Sequence, residues 1–122
     1  MAKNGIAVLI VEDEALIRMD MAALLDDEGF VVYEAANADE AIAILHLHSD
    51  IRVMFTDIDM PGSMDGLRLA AAVRDRWPPV QTIVTSGQQQ LRDEELPVQG
   101  RFFSKPYNQS HVIGAIREMA AW

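Results

Sequence analysis

Acidic, hydroxyl and ammonium side chains stand where apolar runs of this chain end. Glu12 and Asp13 follow the run 6–11, Asp57 and Asp59 follow 53–56, Ser86 closes 80–85, and Lys105 follows 101–104. A carboxylate at the end of a buried strand can bind a metal, act as a base or act as a nucleophile. Several carboxylates at one edge repel each other, by on the order of 4 kcal/mol for two charges about 4 Å apart at an effective dielectric of about 20. A hard cation with oxygen ligands relieves that repulsion. Magnesium suits the set, since it takes one or two carboxylates and shares its remaining positions with water and phosphate oxygens. Lys105 can pair with Asp57 in the empty site and with a phosphoryl oxygen in the filled one. Ser86 can donate its hydroxyl to the same group. Phosphoryl transfer mostly needs positioning and charge stabilisation, and a carboxylate can be its nucleophile. The residues therefore read as a magnesium-assisted phospho-aspartate site with Asp57 as acceptor.

The elements that must position them follow from hydrophobic period. Residues 6–11 form a continuous apolar run, a strand covered on both faces. Ile17, Met21, Leu24 and Leu25 recur at helical spacing, and Gly29 ends that helix. Residues 30–35 read as the second strand. Asn37 caps the next helix with Glu40 at the capping-box position, and that helix holds Ala41, Ile42, Leu45 and His48. The third strand is the stretch 53–61, stopped by Pro61. A third helix through Leu67, Leu69, Ala70 and Val73 ends at Pro78-Pro79. Residues 80–86 are the fourth strand. Residues 87–100 carry little apolar period, so one short irregular turn at most is expected there. A short fifth strand, 101–104, precedes a last helix that starts at Asn108 and buries Val112, Ile113, Ile116 and Met119. Alternating strands and helices call for an α/β fold with a parallel sheet and helices on both faces. Ligands in such sheets bind beyond the carboxyl ends of the strands, where the acidic set lies.

Composition narrows the functional classes. The 122 residues form a single domain, 1–122, with no cysteine for disulfides, thiolate metal sites or thiol nucleophiles. Ten basic against nineteen acidic residues leave a net charge of −9, which argues against direct nucleic-acid binding. No apolar run reaches the roughly 20 residues of a membrane span. The N-terminal residues 1–5, with one charge, make a poor signal peptide, so a cytoplasmic location is the expectation. His46, His48 and His111 have no metal-ligand partners at useful spacing. Gln88 to Gln90 read as a polar loop.

Glu12-Asp13, Asp57 with Met60-Pro61 and Asp65-Gly66, Ser86-Gly87 and Lys105-Pro106 resemble the receiver domain of two-component response regulators. The resemblance covers nearly the whole chain, with its elements in the right order. It implies a doubly wound, five-stranded parallel sheet of flavodoxin-like order 2-1-3-4-5. It implies that Asp57 takes a phosphoryl group from a sensor histidine kinase or phosphotransfer protein, or from a small phosphodonor. Asp13 and Asp57 would bind Mg2+ directly, with the Asp59 backbone carbonyl as third ligand, and Glu12 would act through a water. Lys105 would contact the phosphoryl group, and its bond to Pro106 can be cis. Ser86 would swing toward the phosphate and Phe102 would move inward behind it. The output is then altered binding of an unknown downstream protein, by a stand-alone or excised receiver with no enzymatic turnover beyond its own phosphorylation and dephosphorylation.

This chain also departs from the family pattern. The loop from Asp57 to Gly66 is one residue longer than usual, with Ser63 the extra one. The interval from Ser86 to Lys105 is shorter than usual, which leaves the fourth helix short or irregular. Phe102 stands where tyrosine is commoner. Two other functions compete. A haloacid-dehalogenase-type phosphatase would use Asp57 and Asp59 as its paired carboxylates, but would leave Glu12-Asp13 without a role. A flavodoxin-like flavin binder would need a phosphate cradle after the first strand, where the acidic pair would repel the phosphate.

Overall fold

In the computed structural model, which describes residues 5–121, the chain alternates strand and helix: β1 Ala7–Val11, α1 Ala15–Asp27, β2 Val31–Ala35, α2 Ala38–Leu47, β3 Ile51–Asp57, α3 Gly66–Arg76, β4 Gln81–Ser86, β5 Gly100–Ser104 and α4 Gln109–Ala120. Residues 1–4, on which the reading of the N-terminal charge rests, and Trp122 lie outside the described residues. The strands form one sheet in the order β2-β1-β3-β4-β5, and every pairing is parallel. This is the order the family resemblance implies.

The all-apolar sequence of β1 is explained by its place. All of its residues are buried, and successive side chains point to opposite faces. Val8 and Ile10 enter a layer with Met21 and Leu25 of α1 and Val112, Ile116 and Met119 of α4. Ala7, Leu9 and Val11 enter a second layer with Ala41 and Leu45 of α2 and Leu69 and Val73 of α3. The sheet is thus covered on both sides. Ile17, assigned to the buried face of α1, is only half-buried, and α1 leaves Leu16 79% exposed.

Helix ends follow from local chemistry. Gly29 takes a φ of 93°, the left-handed turn after α1 that glycine permits without strain. Asn37 accepts the Glu40 N–H at 2.9 Å, as a helix cap should. The return arm differs from a capping box, for Glu40 Oε1 accepts from the N–H of Ala36, the residue before the cap. His48 falls outside α2. Its backbone is extended and its ring stacks on Tyr33 at 4.2 Å, because the chain must turn into β3 within the next two residues. β3 starts at Ile51, paired with Ala7 across a register shift, and stops at Asp57, well short of Pro61. The stop comes from a turn, in which the Met60 N–H donates to the Ile58 carbonyl.

The α3 cap is Asp65, whose side chain accepts the Arg68 N–H at 2.9 Å. Gly66 follows because nothing larger fits: a Cβ there would collide with the Asp57 carbonyl. The segment between β4 and β5 holds a single 3-10 turn, Asp93–Glu95, as its weak apolar period led one to expect. Glu95 binds back to Arg92, and Asp93 accepts the Phe102 N–H at 2.9 Å. Leu96 of this segment packs with Ile58 and Val84, and Leu91, Leu67 and Phe102 pack against them. Two leucines from an irregular segment thus cover what a longer helix would otherwise shield.

Candidate functional site

Strand register decides which side chains can meet. Asp57 shares its parity with Val53 and Phe55, and Lys105 shares its own with Phe103; all three of those apolar residues face the α1/α4 layer. Glu12 likewise follows Val8 and Ile10. Ladders running one residue past the strands fix both flanking groups: Glu12 N–H donates to Ala35 O at 3.0 Å, and Lys105 N–H to Ser86 O at 3.0 Å. Ser86 has the opposite parity, with Val84, so it reaches the sheet end from the other face.

The charged groups meet at Lys105. Its ammonium donates to Asp57 Oδ2 at 2.8 Å and to Glu12 Oε1 at 3.0 Å. Both carboxylates are buried, at 4% and 3% exposure for the residues. The second oxygen of each is also engaged. Asp57 Oδ1 accepts the Asp59 N–H at 3.1 Å, and Glu12 Oε2 accepts the Glu14 N–H at 3.2 Å. Arg18 ties down the same loop by donating to the Glu12 carbonyl at 2.7 Å. The Lys105–Pro106 bond is cis, as the resemblance allows.

Burial and pairing act on the two groups differently. For Glu12, loss of solvent is the largest effect and raises its pKa above the ordinary glutamate range; the Glu14 N–H and Lys105 oppose that rise. For Lys105, burial pulls downward, but hydrogen bonds to Asp57 and then Glu12, with their charges, outweigh it and hold the ammonium above the ordinary lysine value. Lys105 is therefore a fixed cation at neutral pH.

Glu12, Asp13 and Asp57 each bring a carboxylate oxygen to within 4.8 Å of the others. Asp13 is the exposed member. A set of oxygen donors this close, with one side open, suits a small hard divalent cation. The carboxylate of Asp59 is not among them. It turns to Ser86, whose hydroxyl donates to Asp59 Oδ2 at 2.7 Å. Phe102 is half-buried against Ile58, Val84 and Leu96.

Glu12, Asp13, Asp57, Ser86 and Lys105, singled out by position in the sequence, thus lie at one edge of the sheet. The partnership of Asp59 with Ser86 was not foreseen, and neither were the N–H groups of Gln88 and Gln89 that donate to Ser86 Oγ. The spacing of Asp57 and Asp59 puts two carboxylates beyond one strand, but nothing in it says where the second one points. Thr85, beside Asp57 in the β3–β4 register, has a buried hydroxyl with no hydrogen-bond partner among the described residues.

Comparison with known proteins gives this arrangement a lineage. A family model described as the response regulator receiver domain matches residues 8–117. The transcriptional regulatory protein PdtaR of Mycobacterium tuberculosis is 36% identical over 113 residues, covering 89% of this chain and 54% of PdtaR. A response regulator receiver protein from Sinorhizobium medicae superposes with a TM-score of 0.86 at 25% identity, covering 97% of this chain and 96% of that one. Thermotoga maritima TrrA, crystallised in complex with Mg2+-BeF, is 22% identical with a TM-score of 0.78, covering 93% of this chain and 98% of its own, and speaks to the fold alone. The chain spans 54% of PdtaR and 12–25% of other curated relatives of similar identity. The phosphatase alternative finds no support among these relatives.

Proposed function

The chain belongs to the response regulator receiver domain family, and on that premise we propose that Asp57 is its phosphoacceptor. The observation that carries the proposal is the bridge from Lys105 to the buried carboxylates of Asp57 and Glu12 at 2.8 and 3.0 Å. A carboxylate oxygen of Asp57 attacks phosphorus, an O–P bond forms, and the bond to the donor's imidazole nitrogen or acyl oxygen breaks. Lys105 turns its ammonium from the Asp57 carboxylate to a phosphoryl oxygen. Asp13 and Asp57, with the Asp59 backbone carbonyl, would hold Mg2+, and Glu12 would act through a water. When bound, the ion supplies positive charge against the oxygens of the transferring group. The Ser86 hydroxyl then follows the phosphoryl group, and Phe102 follows Ser86.

The acceptor is the protein's own side chain, so the chain is a switch and not a turnover catalyst. Its donor is a sensor histidine kinase, a phosphotransfer protein or a small acyl phosphate in the cytoplasm, and its output is altered binding of a downstream protein. No described helix is long and apolar enough to cross a membrane. Acetyl phosphate and magnesium should add one phosphate per chain by intact mass, and Asp57→Asn should add none. Full labelling of that variant would move the acceptor elsewhere.

A further inference from the structure

Ser86 is saturated where it stands. Its hydroxyl donates to Asp59 Oδ2 at 2.7 Å, while its oxygen accepts from Gln88 N–H at 3.1 Å and Gln89 N–H at 3.0 Å. A serine hydroxyl has one proton and two acceptor sites, so every site is used, and the residue is fully buried. Asp59 also touches the acceptor, through its own N–H to Asp57 Oδ1 at 3.1 Å. One residue thus holds the acceptor by its backbone and the hydroxyl by its side chain.

We propose that Asp59 is a positioning residue that holds the Ser86 hydroxyl in the resting orientation, so that a phosphoryl group on Asp57 must win the Ser86 proton from the Asp59 carboxylate. The proposal rests on the phosphoacceptor reading above and adds the regulation of that site. A single proton cannot make a full-strength bond to a carboxylate and a phosphoryl oxygen at once. A bond from hydroxyl to carboxylate is short and about twice as strong as a neutral one. The activated state therefore breaks that bond and leaves the Asp59 carboxylate without its hydroxyl partner.

The test is the affinity for beryllofluoride, a phosphoryl mimic, with saturating magnesium, read by fluorine NMR titration. Asp59→Ala should tighten binding about tenfold, the scale of one charge-assisted hydrogen bond. Asp59→Asn should tighten it less, because the amide oxygen still accepts from Ser86. In a Ser86→Ala background the Asp59→Ala gain should shrink to about twofold or less, since contacting residues show such coupling. Equal gains for Asn and Ala, or an undiminished gain without Ser86, would mean that Asp59 acts by charge alone and would overturn the proposal. So would no gain from Asp59→Ala. A wild-type chain that fails to bind beryllofluoride would bring down the phosphoacceptor reading itself.

Discussion

Both ends of the sheet carry residue types that do chemistry, yet they are built differently. At the amino end, His46, Arg76 and Trp77 meet where α2 and α3 finish. Arg76 donates to His46 Nε2 at 2.7 Å and lies 4.6 Å over the Trp77 ring, and His48 stacks on Tyr33. Both His46 and Arg76 are exposed. At the carboxyl end, Glu12 and Asp57 are buried and share a cation that comes from a third strand. An exposed pair contributes little, whereas breaking a buried one strands a charge. Convergence of buried charge from several strands, and not residue type, separates a site from a decorated surface.

Three perturbations would break or sharpen that contrast. The largest effect should come from Lys105→Met, which leaves two buried carboxylates facing each other. It should cost about 3 kcal/mol in urea unfolding without magnesium, the low end for a buried pair because Lys105 is partly exposed, and adding Asp57→Asn should return part of it. An unchanged midpoint would put the two ends on the same footing.

A smaller effect should appear with pH. The folded state holds the Lys105 proton more tightly than the ordinary value of 10.5. Its contribution is therefore whole below pH 10.5 and declines as pH rises beyond it. Wild type should lose stability more steeply than Lys105→Met above that pH, and parallel curves would remove the cation from the site's energetics.

The smallest effect belongs to the amino end. His46→Ala and Arg76→Ala should each shift stability by no more than about 0.5 kcal/mol and leave acetyl phosphate labelling untouched. A labelling defect in either variant would erase the distinction between the ends.

The same contrast explains what could be read without coordinates. Apolar runs betrayed all five strands, and helical spacing the helices. The residues of the candidate site stood out because each sits where a run stops, at the edge of a parallel sheet where ligands bind. Strand order came from the family likeness. What stayed hidden depends on contacts made across the chain. The turn at Ile58 ends β3 before the proline can. His48 leaves α2 for the ring of Tyr33. The Asp59 carboxylate finds Ser86, 27 residues away in sequence. Gly66 looks like any loop glycine until α3 is laid against the Asp57 carbonyl.

The Ile58 carbonyl accepts the Met60 N–H and also the Gly66 N–H, each at 3.0 Å. Both ends of the β3–α3 connection are thereby buttoned to one atom, and the residues between them form a closed eyelet. Ser63, on its outer rim, reaches away to Asp39 of α2 at 2.8 Å. An added or lost residue changes the girth of the eyelet and not the position of its fastening, so the loop can be let out or taken in while Asp57 stays where it is.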